Sequence, residues 1–467
     1  MKNVLVAQSG GPSPVINASL QGVIDACRDH DSFGAVYAAF HGVEGILKEE
    51  IIDLGTEEAE ELARLRQTPG AGAIGTCRYK LHDGNDEDFG RIVDVFAAHN
   101  VGYFFYIGGN DSMDTARKVA DLARERGVEL TVVGVPKTID NDVGDSTFDL
   151  VDHTPGYGSA ARYWASVMQI LEEENRGMCS SEPIAVIQAM GRSSGFIPAA
   201  ARLADPKREM PLQLYLAESD HTLASMTDCV SDELRRSGRC IVVVSEGFPV
   251  GSIGERHDAF GHVEYAASES TVAQVVVNHL NRAGLPVPGY ATGQVPGALQ
   301  RSTSIFASAQ DRTEAYEVGR HAVALAAGGT AGVMATIRRA GGVPRALPPG
   351  EGAPEADGPA PAGSAPSDGQ AARAGGPFRA APASPAYRPV YAHVPLAAVA
   401  NFHRQLPAHW LSADQLDVTD DFVRYAQPLI GDTWPEIGIE GGVQRFARLR
   451  RNLLPQKLRP YVPQNNR

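Results

Sequence analysis

Short apolar runs alternate with amphipathic stretches along residues 1–340 of the chain. The apolar runs predict buried strands, and the amphipathic stretches, in which apolar residues recur at helical spacing, predict helices. Strands and helices that alternate in this order form parallel sheets covered by helices, so the pattern predicts an α/β fold. The predicted strands are residues 2–7, 35–40, 103–107, 131–135, 184–189, 212–216, 240–245 and 332–337. The predicted helices are residues 17–28, 57–66, 112–126, 159–174, 221–236, 268–282 and 308–328.

A second kind of composition begins at residue 341. Residues 341–388 consist mainly of Ala, Pro, Gly and Ser and show no hydrophobic period. Such a segment cannot bury enough apolar surface to offset the entropy lost on ordering, so we predict a flexible insertion. Apolar and aromatic residues return between Tyr391 and Trp434, which predicts that the chain packs again after the insertion.

The charge and the cysteines narrow the classes of protein to which this chain can belong. Its formal net charge of −14 over 467 residues makes it a poor candidate for binding nucleic acid or an anionic membrane. It has no apolar run of the about 18 residues that a membrane-spanning helix needs, and its first residues lack the features of a signal peptide. The five cysteines are widely spaced without a Cys-x-x-Cys pair, which argues against disulfides and zinc and indicates the cytoplasm.

The densest set of reactive side chains lies in residues 136–142, which read Pro-Lys-Thr-Ile-Asp-Asn-Asp. They follow the predicted strand 131–135, and ligands of open α/β sheets bind at the carboxyl ends of the strands. Phosphoryl transfer needs a base for the attacking hydroxyl, a metal ligand and a cation for the moving phosphate, and these side chains suit it. An acidic surface loop that caps a helix fits the spacing equally well.

Three glycine-containing motifs also join a predicted strand to a predicted helix. Paired glycines in residues 8–18 and 108–115 let the backbone approach a phosphate, and Arg192 in Met-Gly-Arg-Ser-Ser-Gly can grip one. No Gly-Lys pair occurs in the chain, which excludes a Walker P-loop. Each motif alone also fits a tight turn, a helix cap or a surface arginine. Together with residues 136–142 they place four such loops at the carboxyl edges of the sheets, which indicates a phosphate-binding site.

In combination, these motifs resemble the phosphofructokinase family, which includes ATP-dependent and pyrophosphate-dependent enzymes. The resemblance covers residues 1–340 and is weaker over residues 391–430. It implies two doubly wound Rossmann-like domains with mainly parallel sheets. The implied organisation is a phosphoryl-donor-binding domain over 1–150, completed by residues 305–340, a sugar-phosphate-binding domain over 151–304, the flexible insertion over 341–388, and a C-terminal extension over 389–467 that packs on the core.

The family's reaction phosphorylates the 1-hydroxyl of fructose 6-phosphate, gives fructose 1,6-bisphosphate and serves glycolysis and gluconeogenesis. The resemblance implies that Asp140 accepts the proton of that hydroxyl and that Thr138 contacts the transferring group. It implies Mg²⁺ as the cofactor, supported by Asp142 and Asn110. It further implies that Gly11 and Arg78 face the donor, and that the sugar phosphate is bound by Thr138, Asp140, Met190, Gly191, Arg192, Glu246 and Arg301.

Two positions favour pyrophosphate over ATP as the donor. ATP-dependent members of the family generally carry glycine where this chain has Asp111 and Lys137. A carboxylate at Asp111 lies near the place of an ATP α-phosphate and repels it, by about 1–4 kcal/mol between the limits of water and a dielectric constant near 20. Lys137 supplies a cation for the smaller donor and can stabilise the transferring phosphoryl group. The expected activity is therefore a reversible, pyrophosphate-dependent 6-phosphofructokinase reaction.

Three positions depart from the family pattern and keep alternatives open. Asn110 stands where most relatives have a magnesium-supporting aspartate, and Pro183 and Thr292 stand where ATP-dependent relatives place two arginines from a neighbouring subunit. The alternatives are the same fold acting with ATP or on sedoheptulose 7-phosphate, and a non-catalytic regulatory subunit. The expected partners are fructose 6-phosphate and pyrophosphate, without nucleic acid or membrane, in a homo-oligomer that is a dimer or a tetramer.

Overall fold

The computed structural model describes the greater part of the chain, namely residues 1–81, 86–258, 261, 263–343 and 387–464. The predicted flexible insertion, 341–388, lies outside these residues except for its first three and its last two. The described residues form two main β-sheets with helices connecting the strands, which confirms the predicted α/β fold with mainly parallel sheets. No helix among them is long and apolar enough to span a membrane.

The strands are numbered in chain order. They are β1 (Lys2–Gln8), β2 (Phe33–Ala39), β3 (Ile51–Asp53), β4 (Val101–Gly108), β5 (Thr131–Pro136), β6 (Ile184–Ala189), β7 (Leu212–Tyr215), β8 (Cys240–Ser245), β9 (Ala291–Gln294), β10 (Val333–Arg339), β11 (Pro389–Pro395), β12 (Ile439–Glu440) and β13 (Val443–Gln444). The helices are α1 (Ile16–Arg28), α2 (Gly42–Lys48), α3 (Ala59–Arg64), α4 (Asp86–Ala98), α5 (Asn110–Glu125), α6 (Tyr157–Met178), α7 (Phe196–Ala199), α8 (Leu223–Ser237), α9 (Val272–Ala283), α10 (Ala309–Ala327) and α11 (Asp420–Ile430).

The two main sheets differ in size. The larger one has the strand order β11-β10-β5-β4-β1-β2-β3, with five parallel inner strands and antiparallel pairing of β3 and β11 at the edges. The smaller one has the order β7-β8-β6-β9, and all its strands are parallel. In a parallel sheet all carboxyl ends lie at one edge, so the strand-to-helix loops of each sheet gather there.

Every predicted strand and helix is present, with its ends within four residues of the predicted ones. The sequence analysis missed several elements. Some of them lack a clear apolar period, but α4 and α11 are amphipathic and were missed although their apolar residues recur at helical spacing. Strand β9 reads Ala-Thr-Gly-Gln, and α2 contains two glycines, which lower its intrinsic helix propensity. Strand β11 pairs with β10 along its whole length, so its extended structure follows from hydrogen bonding to β10. The other elements not predicted are β3, β12, β13, α4, α7 and α11.

Three C-terminal aromatic residues lie in the hydrophobic core, whereas Trp434 is 65% exposed. Trp410, Phe422 and Tyr425 are at most 1% exposed and share one buried cluster with Tyr157 and Trp164 of α6. The rings of Trp410 and Tyr425 lie 4.7 Å apart. The end of the chain therefore stabilises the region that links the two sheets, whereas the domain boundaries given above stay a prediction.

A buried ion-pair network lies beside this core. His153 donates hydrogen bonds to Asp152 Oδ2 and Glu314 Oε2, both at 2.8 Å. Arg339 donates to both oxygens of Asp152, at 3.0 and 3.2 Å, and the Tyr387 hydroxyl donates to Glu314 at 2.5 Å. Burial alone would lower the pKa of His153, but the carboxylates of Glu314 and Asp152 outweigh it and raise that pKa from 6.5 to about 9.

This network is expected to make the stability of the fold depend on pH. The folded pKa of His153 lies above its unfolded value, so its contribution is complete below pH 6.5 and is lost as the pH rises through 9. We expect the free energy of unfolding to fall by up to about 3 kcal/mol over this range, and His153→Gln to remove that dependence. Urea unfolding at several pH values measures it, with the exposed His30→Gln as the control. Equal pH slopes in wild type and His153→Gln would contradict the assignment.

Candidate active site

One cleft collects the loops that follow strands of both sheets. It is lined by residues after β1, β4 and β5 of the larger sheet and after β6 and β8 of the smaller one, and its volume, including open solvent, is about 1320 Å³. All the site residues predicted from the sequence line this cleft except Gly191, which contacts Glu246 behind it. The residues that line it are Gly11, Arg78, Asn110, Asp111, Lys137, Thr138, Asp140, Asp142, Met190, Arg192, Glu246 and Arg301.

The glycine pair after β1 brings the backbone close to two cations. Lys137 is 3% exposed, and its Nζ donates a 2.6 Å hydrogen bond to the carbonyl oxygen of Gly11. A Cβ atom on Gly11 would lie 2.6 Å from Nη1 of Arg301, so a larger residue there would displace the Arg301 guanidinium. Gly10 has a φ of +76°, a conformation that glycine adopts without strain. This turn therefore brings two cations against the backbone at the cleft wall.

Lys137 lies among three arginines and several carboxylates that line the same cleft. Burial lowers the pKa of Lys137 from 10.5 to about 7, and the charges of Arg301, Arg192 and Arg78 act in the same direction, while Asp140 opposes them. Burial also lowers the pKa of Arg301, and its Nε is a buried donor without a hydrogen-bond partner among the described residues. A buried cationic donor without a partner, next to other cations, attracts a multiply charged anion such as a phosphate.

The two aspartates of the loop after β5 have opposite pKa shifts. Burial, with the nearby charge of Asp142, raises the pKa of Asp140 to about 6. Burial would also raise the pKa of Asp142, but the hydrogen bond and charge of His403 outweigh it and hold that pKa below its usual value. Neighbouring carboxyl groups whose environments separate their pKa values are typical of a proton acceptor beside a permanently charged group.

The end of the chain holds this loop in place. Asn141 has a φ of +58°, and its side chain donates to the Tyr425 hydroxyl at 2.8 Å. The fully buried Arg404 donates to the carbonyl oxygen of Asn141 at 2.9 and 3.1 Å and to that of Val151 at 2.7 Å. The sequence analysis missed Arg404, His403 and the role of Tyr425, because they lie far along the chain from the loop that they contact.

The far side of the cleft is organised by Glu246. Its Oε1 accepts hydrogen bonds from the backbone N–H groups of Gly191, at 3.2 Å, and Arg192, at 3.0 Å. Burial raises the pKa of Glu246 to about 7. Gln300, which the sequence analysis also missed, accepts from the N–H of Met190 at 3.0 Å. These bonds fix the turn that carries Arg192 into the cleft.

Two charged residues at the rim have partners that the sequence did not reveal. Arg78 forms ion pairs with Asp258, at 2.7 Å, and with Glu264. Asp111 lies 3.7 Å from the Lys80 ammonium, so its negative charge is partly balanced. An anionic donor that binds here competes with these carboxylates for Arg78 and meets the carboxylate of Asp111 directly.

The oxygen atoms near Asp142 fit a magnesium ion. The buried Oδ1 of Asn110 has no hydrogen-bond partner within the described part of the chain. The amide nitrogen of Asn110 donates to the Asp142 carboxylate at 3.2 Å, so the two side chains lie next to each other. Hard oxygen atoms of this kind suit Mg²⁺, which keeps several waters and takes the rest of its ligands from phosphates. Groups of three or more acidic, histidine or cysteine side chains that could hold a metal are absent from the described residues, so substrate oxygens would have to complete the shell.

Known proteins that are similar to this chain belong to the family that its motifs resemble. The family model described as Phosphofructokinase matches residues 3–326. The pyrophosphate–fructose 6-phosphate 1-phosphotransferases of Halomonas elongata and Methylococcus capsulatus are 35% and 34% identical to this chain, each over 98% of both sequences. The crystal structure of a pyrophosphate-dependent phosphofructokinase from Nitrosospira multiformis matches with a TM-score of 0.80 and 32% identity, covering 99% of this chain and 100% of that one. The likeness to such proteins thus covers nearly the whole chain, whereas the sequence analysis placed it over residues 1–340 and, more weakly, over residues 391–430.

Proposed function

Since the chain belongs to the phosphofructokinase family, we propose that it is a pyrophosphate-dependent 6-phosphofructokinase. It transfers a phosphoryl group from pyrophosphate to the 1-hydroxyl of fructose 6-phosphate and gives fructose 1,6-bisphosphate and phosphate. The observation that carries the donor assignment is the presence of Asp111 and Lys137 in the same cleft as Asp140.

Asp140 acts as the general base in this proposal. With a pKa of about 6 it is mostly ionised at neutral pH, yet it is basic enough to take the proton of the attacking hydroxyl. Its backbone N–H donates to Thr138 Oγ1 at 3.1 Å, which fixes the start of the loop next to the transferring group. Asp142 keeps its negative charge beside it.

Lys137 stabilises the charge that moves during transfer. Its ammonium group is already held against the Gly11 carbonyl, so it needs no reorganisation when the phosphoryl group passes in line. Binding of an anion next to Lys137 raises its pKa and keeps it charged. Asp142 and Asn110 would hold Mg²⁺, which supplies charge neutralisation for the pyrophosphate.

The sugar phosphate lies on the side of Glu246 and the arginines. Arg192 and Arg301 offer forked donors for the 6-phosphate, and Glu246 accepts from a sugar hydroxyl. Thr138, Met190 and the Gly191 turn shape the wall between the two substrates. Pro183 and Thr292 do not line the cleft within the described structure. A homo-oligomeric arrangement and a cytoplasmic location stay predictions.

A donor comparison tests the proposal. With fructose 6-phosphate and Mg²⁺, we expect kcat/KM for pyrophosphate to exceed that for ATP by about tenfold to a thousandfold. Turnover with ATP alone would keep the reaction but overturn the donor assignment. Turnover only with sedoheptulose 7-phosphate would show that this sugar phosphate, and not fructose 6-phosphate, accepts the phosphoryl group. Sugar-phosphate binding without any turnover would favour a regulatory subunit.

A further inference from the structure

A histidine from the end of the chain reaches the centre of the cleft. His403 lies in residues 401–407, after β11 and outside the range 3–326 that the family model matches. It lines the cleft, and its side chain is 46% exposed. The mechanism above assigns it no role.

His403 meets two residues of the reaction centre at one ring nitrogen. Its Nδ1 lies 3.1 Å from Asp142 Oδ2 and 3.0 Å from Asn110 Nδ2. The same Asn110 nitrogen lies 3.2 Å from the same carboxylate oxygen. The three atoms form a closed triangle of polar contacts.

The chemistry of these groups fixes the direction of the hydrogen bonds. An ionised carboxylate only accepts, so the contact with Asp142 places a proton on Nδ1 of His403. The amide nitrogen of Asn110 only donates, so one of its two protons also points at Oδ2. Because a protonated Nδ1 cannot accept, its 3.0 Å approach to the Asn110 nitrogen is a contact between two donors to the same oxygen and not a hydrogen bond. Two donors from separate elements thus hold one oxygen of Asp142, and the carboxylate is fixed in orientation.

The backbone next to His403 is tied to the same loop. The N–H of Arg404 donates to the carbonyl oxygen of Asp142 at 2.7 Å, and the Arg404 guanidinium donates to Asn141. These hydrogen bonds tie the backbone beside His403 to the loop that carries Asp142. They therefore hold the imidazole close to the Asp142 carboxylate.

We propose that His403 is a positioning residue for phosphoryl transfer, which holds the Asp142 carboxylate through Nδ1 together with the Asn110 amide. The inference rests on the proposed function. It explains how a neutral asparagine can stand at position 110. The Asn110 amide and the His403 imidazole both donate to the Asp142 carboxylate, and these two donors take the place of a charged neighbour. Partners behind metal-binding carboxylates typically change activity or metal affinity by about 10–100-fold when they are removed.

Three variants test the proposal by kinetics. His403→Ala removes the donor, and His403→Asn keeps an N–H close to the position of Nδ1. The control His409→Ala makes the same change at an exposed histidine outside the cleft. We expect His403→Ala to lower kcat about 10–100-fold with KM for fructose 6-phosphate within about twofold, and His403→Asn to recover most of the loss. A kcat of His403→Ala equal to that of His409→Ala, or equal losses in the alanine and asparagine variants, would overturn the proposal.

A binding measurement separates this inference from the proposed function. Calorimetry with Mg²⁺ and methylenediphosphonate, a pyrophosphate analogue that cannot be cleaved, reports the site without turnover. We expect Mg²⁺-dependent binding to weaken about tenfold or more in His403→Ala and to be restored in His403→Asn. Wild type that binds the analogue but shows no turnover with pyrophosphate would overturn the proposed function and leave the binding series to decide on His403. Equal affinities in wild type and His403→Ala would overturn the role of His403, and no binding by the wild type would overturn both.

Discussion

Asp140→Asn is expected to lower kcat about 10²–10⁴-fold, the usual range for the loss of a general base. The amide has the shape of the carboxylate but cannot take a proton from the 1-hydroxyl. The KM for fructose 6-phosphate should change little, because Arg192 and Glu246 keep their contacts with each other in the variant. Steady-state formation of fructose 1,6-bisphosphate from pyrophosphate measures both constants.

The neighbouring loop offers a matched control for this variant. Asp149→Asn makes the same chemical change at an exposed carboxylate whose visible contact is with the Thr147 hydroxyl. We expect it to keep wild-type kinetics, and we expect both variants to unfold at the wild-type temperature. If Asp140→Asn retained the wild-type kcat, another group would have to serve as the base.

The double variant Asp111→Gly with Lys137→Gly is expected to shift donor choice towards ATP. The change removes the charge that meets an α-phosphate and the cation that serves the smaller donor. A repulsion of about 1–4 kcal/mol corresponds to a factor of about ten to a thousand in the ratio of kcat/KM for ATP to that for pyrophosphate. Because Lys80 lies 3.7 Å from Asp111 and partly balances its charge, we expect the loss of Asp111 to contribute near the lower limit and the loss of Lys137 to carry the ratio towards the upper one.

Single variants separate the causes within this shift. Asp111→Asn keeps the size of the side chain and removes its charge, so it distinguishes repulsion from lack of space. Lys137→Gly should act mainly on pyrophosphate, with kcat lower by about 10²–10³-fold, because a fixed donor to the moving phosphoryl group is lost. The donor argument would fail if the ratio of ATP to pyrophosphate efficiency stayed the same in the double variant.

Support of the catalytic loop from the end of the chain gives the C-terminal residues a place in the reaction. Arg404, Tyr425 and His403 all contact the loop 138–142, yet the matching family model ends at residue 326. Phosphoryl transfer depends on groups held in position, since small displacements weaken both the base and the charged contacts. The loop 138–142, which is proposed to carry the chemistry, is therefore held in its conformation, with Asn141 at a φ of +58°, by residues outside that range.

Local pattern was enough for most of the fold because period and turn chemistry are properties of neighbouring residues. The apolar runs at 103–107 and 131–135 are strands in the structure, as their length and residue types predicted, and Gly10 has a φ of +76°, which a glycine in a tight turn readily adopts. Elements that depend on a partner, such as β11 beside β10, were missed because their structure comes from pairing with a distant strand and not from neighbouring residues.

The sequence by itself determined the α/β order and the reactive side chains of the four strand-to-helix loops, because residue type and spacing carry that information. Only the tertiary structure decided which distant groups contact these side chains. His403 contacts the Asp142 carboxylate, Gln300 accepts a hydrogen bond from the Met190 backbone, and Lys80 lies beside the Asp111 carboxylate. It also decided the pKa of Asp140, about 6, and that of Lys137, about 7. These shifts arise from burial and from charges brought together across the chain, and no local stretch of sequence contains that information.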